Sequence, residues 1–470
     1  MKTIKWSYLL GVTVLGISGA LVLVQRRSQA LESVLHKAGV TAHPKGTLTF
    51  TKDIAPIVYQ NCTSCHRQGE IGPFALQSYA DVKKHARQIA LVTHSRQMPP
   101  WEADPNYGEF QDARRLTDDQ LDTIQQWAEE GAKEGNSRDL PLAPKFPTGW
   151  TMGEPDAVFS PDESYTLEAE GADVYRCFVL PTHFAEDRYL TAMEVRPGNS
   201  KIVHHVIAFL DTSGQARKLD AADPGPGYSS RGGGIGLLPS GAIGGWAPGN
   251  MPHPLPAGVG TLLPKGADIV LQVHYHKSGK PETDRTKLGL YFTKTPVDKR
   301  LRATLAINPF IRIPPGNANY TLKAARDIPT NVTVLQVMPH MHLLGREMTV
   351  TANLPDGSTK PLVRVPDWDF NWQTTYTLKE PLKLPAGSKI DMVARYDNST
   401  SNPHNPSSPP RQVTWGEQTT DEMCIAFVFY TVDTEQLTKG IQADGMFEFS
   451  NLGKRARLGP RLRELLKNRN

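Results

Sequence analysis

Two cysteines and a histidine fall within five residues at Cys62-Thr63-Ser64-Cys65-His66. A Cys-x-x-Cys-His run is an attachment signature for a c-type haem. The two thiols add covalently to the vinyl groups and the adjacent histidine reaches the iron from one face. A zinc site built on the same pair would need further ligands close by, and the next cysteine is Cys177. One covalent haem c is therefore expected, held by Cys62, Cys65 and His66. Met98, in the stiff loop Gln97-Met98-Pro99-Pro100-Trp101, is the expected second axial ligand. A thioether raises the reduction potential and suits electron transfer over oxygen binding. His85 and His94 are its rivals, and each is expected on a helix surface.

A second concentration of chemistry lies downstream. Eight of the 14 histidines fall between His183 and His342, and several are grouped: His204-His205, His274-Tyr275-His276 and His340-Met341-His342. In a strand, residues two apart share a face, so each His-x-His pair is a preformed chelate. Adjacent His204 and His205 point oppositely and can share an ion only at a bulge or strand end. Within these groups there is neither a carboxylate nor a thiolate. Imidazole suits copper, zinc, iron or nickel, and an added thioether favours cuprous copper. The residues alone stop at one or two imidazole sites, with copper preferred beside a haem carrier.

The elements that must position these groups change along the chain. The N-terminus joins a positive flank to an apolar run, Trp6 to Val24, and a Ser28-Gln29-Ala30 step. Residues 1–30 read as a secretory signal or an uncleaved single-pass anchor. Both place the remainder in the periplasm or otherwise outside the cytoplasm, membrane-anchored or secreted. Residues 45–139 have helical periodicity, with segments at Thr51–Gln60, Asp81–Thr93 and Thr117–Gly135, the last carrying a Thr117/Gln120 capping box. Residues 140–160 read as a Pro/Gly linker. Beyond it, short strand-like runs recur between turn signals and predict antiparallel sheet. Gly232 to Gly249 reads as a long loop, and residues 437–470 as a basic, solvated tail. A net charge of +4 over 470 residues gives no footprint for nucleic acid. Four cysteines exclude a disulfide scaffold, leaving Cys177 and Cys424 either paired or buried as thiols.

The order of the first region (Cys-x-x-Cys-His helix, methionine loop, final helix with Trp127) resembles the class I cytochrome c fold. The second region resembles the type II, ascorbate-dependent copper monooxygenases, the peptidylglycine α-hydroxylating and dopamine β-monooxygenase family. Four motifs carry the resemblance in order: Val203-His204-His205-Val206, Leu271-Gln272-Val273-His274-Tyr275, His340-Met341-His342-Leu343-Leu344-Gly345 and Asp421-Glu422-Met423-Cys424. The likeness runs from Pro161 to Asp433 and includes Trp246-Ala247-Pro248 and Leu255-Pro256-Ala257-Gly258. It implies two copper ions. His204, His205 and His274 would hold the electron-transfer copper, while His340, His342 and Met423 would hold the catalytic copper that takes dioxygen. His276 stays outside this set, as a residue behind the ligands or in the substrate cleft, and Gln272 is expected to order water in the cleft. It also implies a small-molecule substrate, O2 and an ascorbate-like or protein electron donor. Peptide-amidating members have an arginine where this chain has Met338, and asparagine and tyrosine where it has Ile425 and Phe427. Peptide amidation is therefore not expected.

The expected architecture is multidomain: a small all-α cytochrome c domain followed by two all-β antiparallel, jelly-roll-like sandwiches at 161–295 and 296–436. The expected activity is C–H hydroxylation by two coppers, with electrons supplied through the fused haem. The rival reading is a non-catalytic haem/copper electron-transfer or copper-handling protein. A zinc hydrolase is weaker, because no general-base carboxylate accompanies the histidines.

Overall fold

The computed structural model describes residues 43–147, 149–230 and 234–445. The apolar run at Trp6–Val24 and residues 446–470 of the basic tail lie outside the described residues. Among the described residues, no helix is long and apolar enough to cross a membrane. The chain divides into two compact units. The first comprises residues up to Pro99 together with Arg114–Pro144, and the second comprises Pro100–Ala113 and everything from Lys145 onwards.

The first unit gathers Phe50, Ile54, Val58, Ile124 and Trp127 into one buried cluster. Helix Asp118–Glu129 starts where its residues dictate. Thr117 accepts from the Gln120 backbone N–H, and the Gln120 side chain accepts from the Thr117 N–H, so two orphan donors are satisfied at once. Such a cap contributes about 1 kcal/mol. Leu121, Ile124, Trp127 and Ala128 form its buried face, and the Trp127 indole N–H donates to the Lys133 carbonyl at 2.9 Å. The expected helix over Asp81–Thr93 is two short ones, Tyr79–Lys84 and Ala86–His94, separated at His85.

In the second unit one five-stranded sheet has the order Tyr228–Ser229, Val174–Pro181, Asp268–Tyr275, Val203–Asp211, Gly241–Trp246. Its central strand, Asp268–Tyr275, is buried at every position, which explains why its apolar residues do not alternate with exposed polar ones. A four-stranded sheet has the order Arg302–Ile307, Ile425–Val432, Val332–His340, Tyr376–Leu384. The stretch expected as a glycine-rich loop contains the edge strand Gly241–Trp246, paired with Val203–Asp211. Its glycines admit close neighbours: a Cβ at Gly244 would meet the Met193 sulfur at 2.8 Å.

The structure corrects the expectation of a small all-α cytochrome c domain followed by two jelly-roll-like sandwiches. Among the described residues the chain is mostly β and only 13% helical, with five helices, and no sizeable all-α cytochrome c domain is evident. The helical periodicity is broken by Gly69, Gly72 and Pro73 into turns, and the longest helix has 12 residues. Downstream, turns come often enough to divide the strands into small sheets of two to five strands in a propeller-like arrangement.

Candidate functional site

Neighbouring histidines on one strand reach a common point only if the strand is irregular, and this one is. Val203 pairs with Tyr275 and His205 with His274, so the register slips at His204. This bulge brings His204 and His205 to one side, their Nδ1 atoms 3.2 Å apart. The Nδ1 of His274 lies 3.4 Å from that of His205. Among the described residues, His204, His205 and His274 form a group able to hold a metal ion, with ligand atoms within 4.8 Å of one another.

The surroundings fix how these rings are presented. His274 Nε2 donates to Asp173 Oδ2 at 3.0 Å, which leaves Nδ1 as the lone-pair donor. Tyr175 stacks on the His274 ring at 4.2 Å and 11°. Burial alone would raise the Asp173 carboxyl. Hydrogen bonds from His274 and Thr419, with His276 nearby, hold it well below the usual carboxylate range instead. Burial lowers His204 to about 3 and takes His205 well below its ordinary value, with the neighbouring histidines acting in the same direction. Both are neutral imidazoles at neutral pH, the state that ligates metal. The buried Nε2 of His204 has no protein partner. One ring nitrogen from each of the three residues, converging within that distance, fits an ion bound among the rings.

His340 and His342 meet differently. Strand Val332–His340 ends at the first of them, and His342 lies in the turn beyond, with ring centroids 5.2 Å apart at 88°. The His342 Nδ1–H donates to the Asp421 carbonyl at 3.1 Å. His340 Nδ1 meets Gln373 Oε1 at 2.9 Å. The Gln373 amide nitrogen donates to the Phe370 carbonyl, so its oxygen is the end that faces His340. In both rings Nδ1 is hydrogen-bonded. Burial lowers His340 to about 3 and His342 to about 4. Glu422 clamps the turn, accepting from the backbone N–H groups of His342, Leu344 and Met423. Burial pushes that carboxyl up to about 8 against the pull of those donors. His340 pairs with Ile425, two residues after Met423 in the chain.

In the first unit, the His66 Nδ1–H donates to the Phe74 carbonyl at 3.1 Å, leaving Nε2 free. Burial lowers the His66 imidazole and pushes the Cys62 thiol up to about 12. Cys62 and Cys65 are unbridged and half-buried. Gly72 lies so close that a Cβ there would meet the Cys65 carbonyl at 2.7 Å and His66 Nδ1 at 2.9 Å. Two free thiols on one turn beside an oriented imidazole fit covalent haem attachment. Met98 is half-buried, its N–H donating to the Val92 carbonyl. Of the rivals, His94 is exposed and His85 stacks on Phe74 at 3.9 Å.

Cys177 and Cys424 are separate buried thiols. Gln272 is buried, its amide nitrogen donating to Ser230 and the Gly234 carbonyl. His276 Nδ1 lies 3.2 Å from Asp173, the carboxylate that also accepts from His274. Asp173, Tyr175, Thr419, Phe370 and Gln373 were not identified from sequence. Each is a single residue in a turn, strand or loop, and only the strand register brings them to the histidines.

Residues 301–443 match the family described as copper type II ascorbate-dependent monooxygenase, C-terminal domain. DBH-like monooxygenase protein 1 of Homo sapiens is 27% identical over 208 residues, covering 39% of this chain and 32% of that protein. The Mus musculus protein of the same name is 24% identical over 276 residues, covering 54% and 43%. The chain thus spans about a third of the length of the first curated relatives it matches. A solved structure of infectious bursal disease virus, Gx strain, aligns at a TM-score of 0.18 with 10% identity, covering 63% of this chain and 73% of that one. That score carries no argument about fold or function. The region 301–443 is thus similar to the C-terminal domain of the copper type II ascorbate-dependent monooxygenases.

Proposed function

We propose that this chain is a dicopper monooxygenase that hydroxylates a C–H bond of a small substrate. The overall balance is R–H, O2, two electrons and two protons giving R–OH and water. The carrying observation is the pair of imidazole sets in the second unit: burial lowers His204, His205, His340 and His342, and hydrogen bonds orient His274, His340 and His342. In this reading His204, His205 and His274 hold one copper, and His340, His342 and Met423 the other. Copper supplies storage of single electrons and activation of dioxygen. The residues supply orientation. Asp173 holds the His274 proton at Nε2, Gln373 and the Asp421 carbonyl fix the other two rings, and the thioether of Met423 favours the cuprous state. Met338, Ile425 and Phe427 offer no partner for a peptide carboxylate, which supports an apolar substrate.

The reading extends to electron supply. Cys62 and Cys65 attach one haem c, His66 and Met98 ligate its iron, and an ascorbate-like or protein donor feeds it. The N-terminal apolar run would export the protein and tether it to the membrane, placing these reactions in the periplasm. The test is metal and haem analysis of the purified chain, then oxygen uptake with ascorbate across candidate substrates. Two coppers, acid-stable haem and substrate-dependent oxygen uptake are expected. Cys62→Ala with Cys65→Ala should lose the haem that survives acid-acetone extraction; retention overturns the haem assignment. Copper binding without substrate-dependent uptake would favour the non-catalytic copper and electron carrier.

A further inference from the structure

The two imidazole sets share one apolar residue. The Phe370 ring lies face-on to His204 at 4.7 Å and 16°. The same ring meets His342 nearly perpendicularly at 5.6 Å and 79°. His204 and His342 are therefore separated by no more than those two ring spacings laid end to end. Phe370 is buried, and its carbonyl accepts from the Gln373 amide that also orients His340. The loop is fixed from behind as well, because the Asp369 N–H donates to the half-buried Glu102 at 2.6 Å. A planar ring between two other planar rings cannot tilt to suit one without changing its fit to the other.

Resting on the dicopper reading above, we infer that Phe370 is a positioning residue that couples the two metal sets, so that ligand geometry at one sets metal affinity at the other. His204 takes its ring plane from Phe370, and Phe370 takes its own from His342. Truncating His342 releases Phe370, and His204 then loses the surface that orients it. Coupling of this kind is reciprocal and of the order of fivefold or more in affinity.

The experiment is a double-mutant cycle on the full chain, read by Cu(II) titration against a competing chelator. The Cu(II) electron paramagnetic resonance signal of the three-histidine set identifies which site fills. With Phe370 present, His342→Ala should weaken Cu(II) at His204, His205 and His274 by roughly fivefold. In Phe370→Leu, which keeps an apolar side chain, the same change should have less than about a twofold effect. Phe370→Tyr keeps the ring and should restore the full coupling, which a packing role alone would not require. Circular dichroism melts of the metal-free variants check that each is folded; if Phe370→Leu is not, Phe370→Met takes its place in the cycle. Equal effects of His342→Ala with and without the ring overturn the inference while the two copper sites stand. Failure of the wild-type chain to bind copper at either set removes the reading and the inference together.

Discussion

The two imidazole sets solve one problem with different chemistry behind the rings. The three-histidine set stands on a continuous sheet, where a bulge turns His204 inward and an ionised Asp173 backs His274. The second set stands at a strand end and is backed by neutral oxygens, the Gln373 amide and the Asp421 carbonyl. A carboxylate behind an imidazole makes it a stronger donor, which favours the more highly charged cupric ion. Neutral acceptors leave softer ligands, and a thioether softens the set further. Under the dicopper proposal, this contrast matches electron storage at the three-histidine set and dioxygen at the other.

Breaking the second set should have the largest effect. Met423→Ile is expected to abolish product formation while the cupric signal of the three-histidine set persists. Copper K-edge absorption of the reduced wild type should show a sulfur neighbour that the variant lacks. A sulfur scatterer that survives the substitution would reassign the ligand and erase the contrast. Next comes the carboxylate. Asp173→Asn should weaken Cu(II) at the three-histidine set by about 10- to 100-fold, measured by chelator competition. Gln373→Leu, which removes only a neutral acceptor, should cost its own set less than about tenfold. If the two losses were equal, the difference in backing would have no functional content.

The smallest effect concerns the loop that carries Phe370. Burial pushes Glu102 up from 4.5 to about 9, offset in part by the hydrogen bond from Asp369. The folded chain therefore holds a proton here that the unfolded chain releases between those two values. Stability from this group is fully present below about pH 4.5 and is lost as pH rises towards 9, by at most about 1.4 kcal/mol per pH unit. Glu102→Gln should flatten the dependence of the melting temperature on pH across that window. An unchanged slope would show the carboxyl to be ionised throughout.

The motifs were legible where chemistry is written in adjacent residues. Cys62, Cys65 and His66 announce themselves, and the three histidine groups stand out by spacing. The capping box at Thr117 and the run Ile425–Val432 were equally readable, because local pattern decides them. Asp173 was not. It immediately precedes strand Val174–Pro181, and only the pairing of Val174 with Tyr275 sets it beside His274 and His276. Phe370 and Gln373 lie in a loop without periodicity, where nothing local predicts a ring between two distant strands. Strand register is a non-local property, and a slip of one residue reverses every side chain. The helical content was overestimated for a related reason: periodicity ran through His85, where the chain turns.

The segment Pro100–Ala113 leaves the first unit, joins the second and returns. Its partners emerge from the ribosome much later: Tyr107 contacts Thr351, Asp104 contacts Arg364, and Phe110 bridges to Leu378. At about 5–20 residues per second, some ten seconds or more of synthesis separate the segment from those partners. During that interval Trp101 and Phe110 have nothing from their own core to cover them. No single cut in the chain releases either unit whole, so limited proteolysis would yield nicked rather than separated halves.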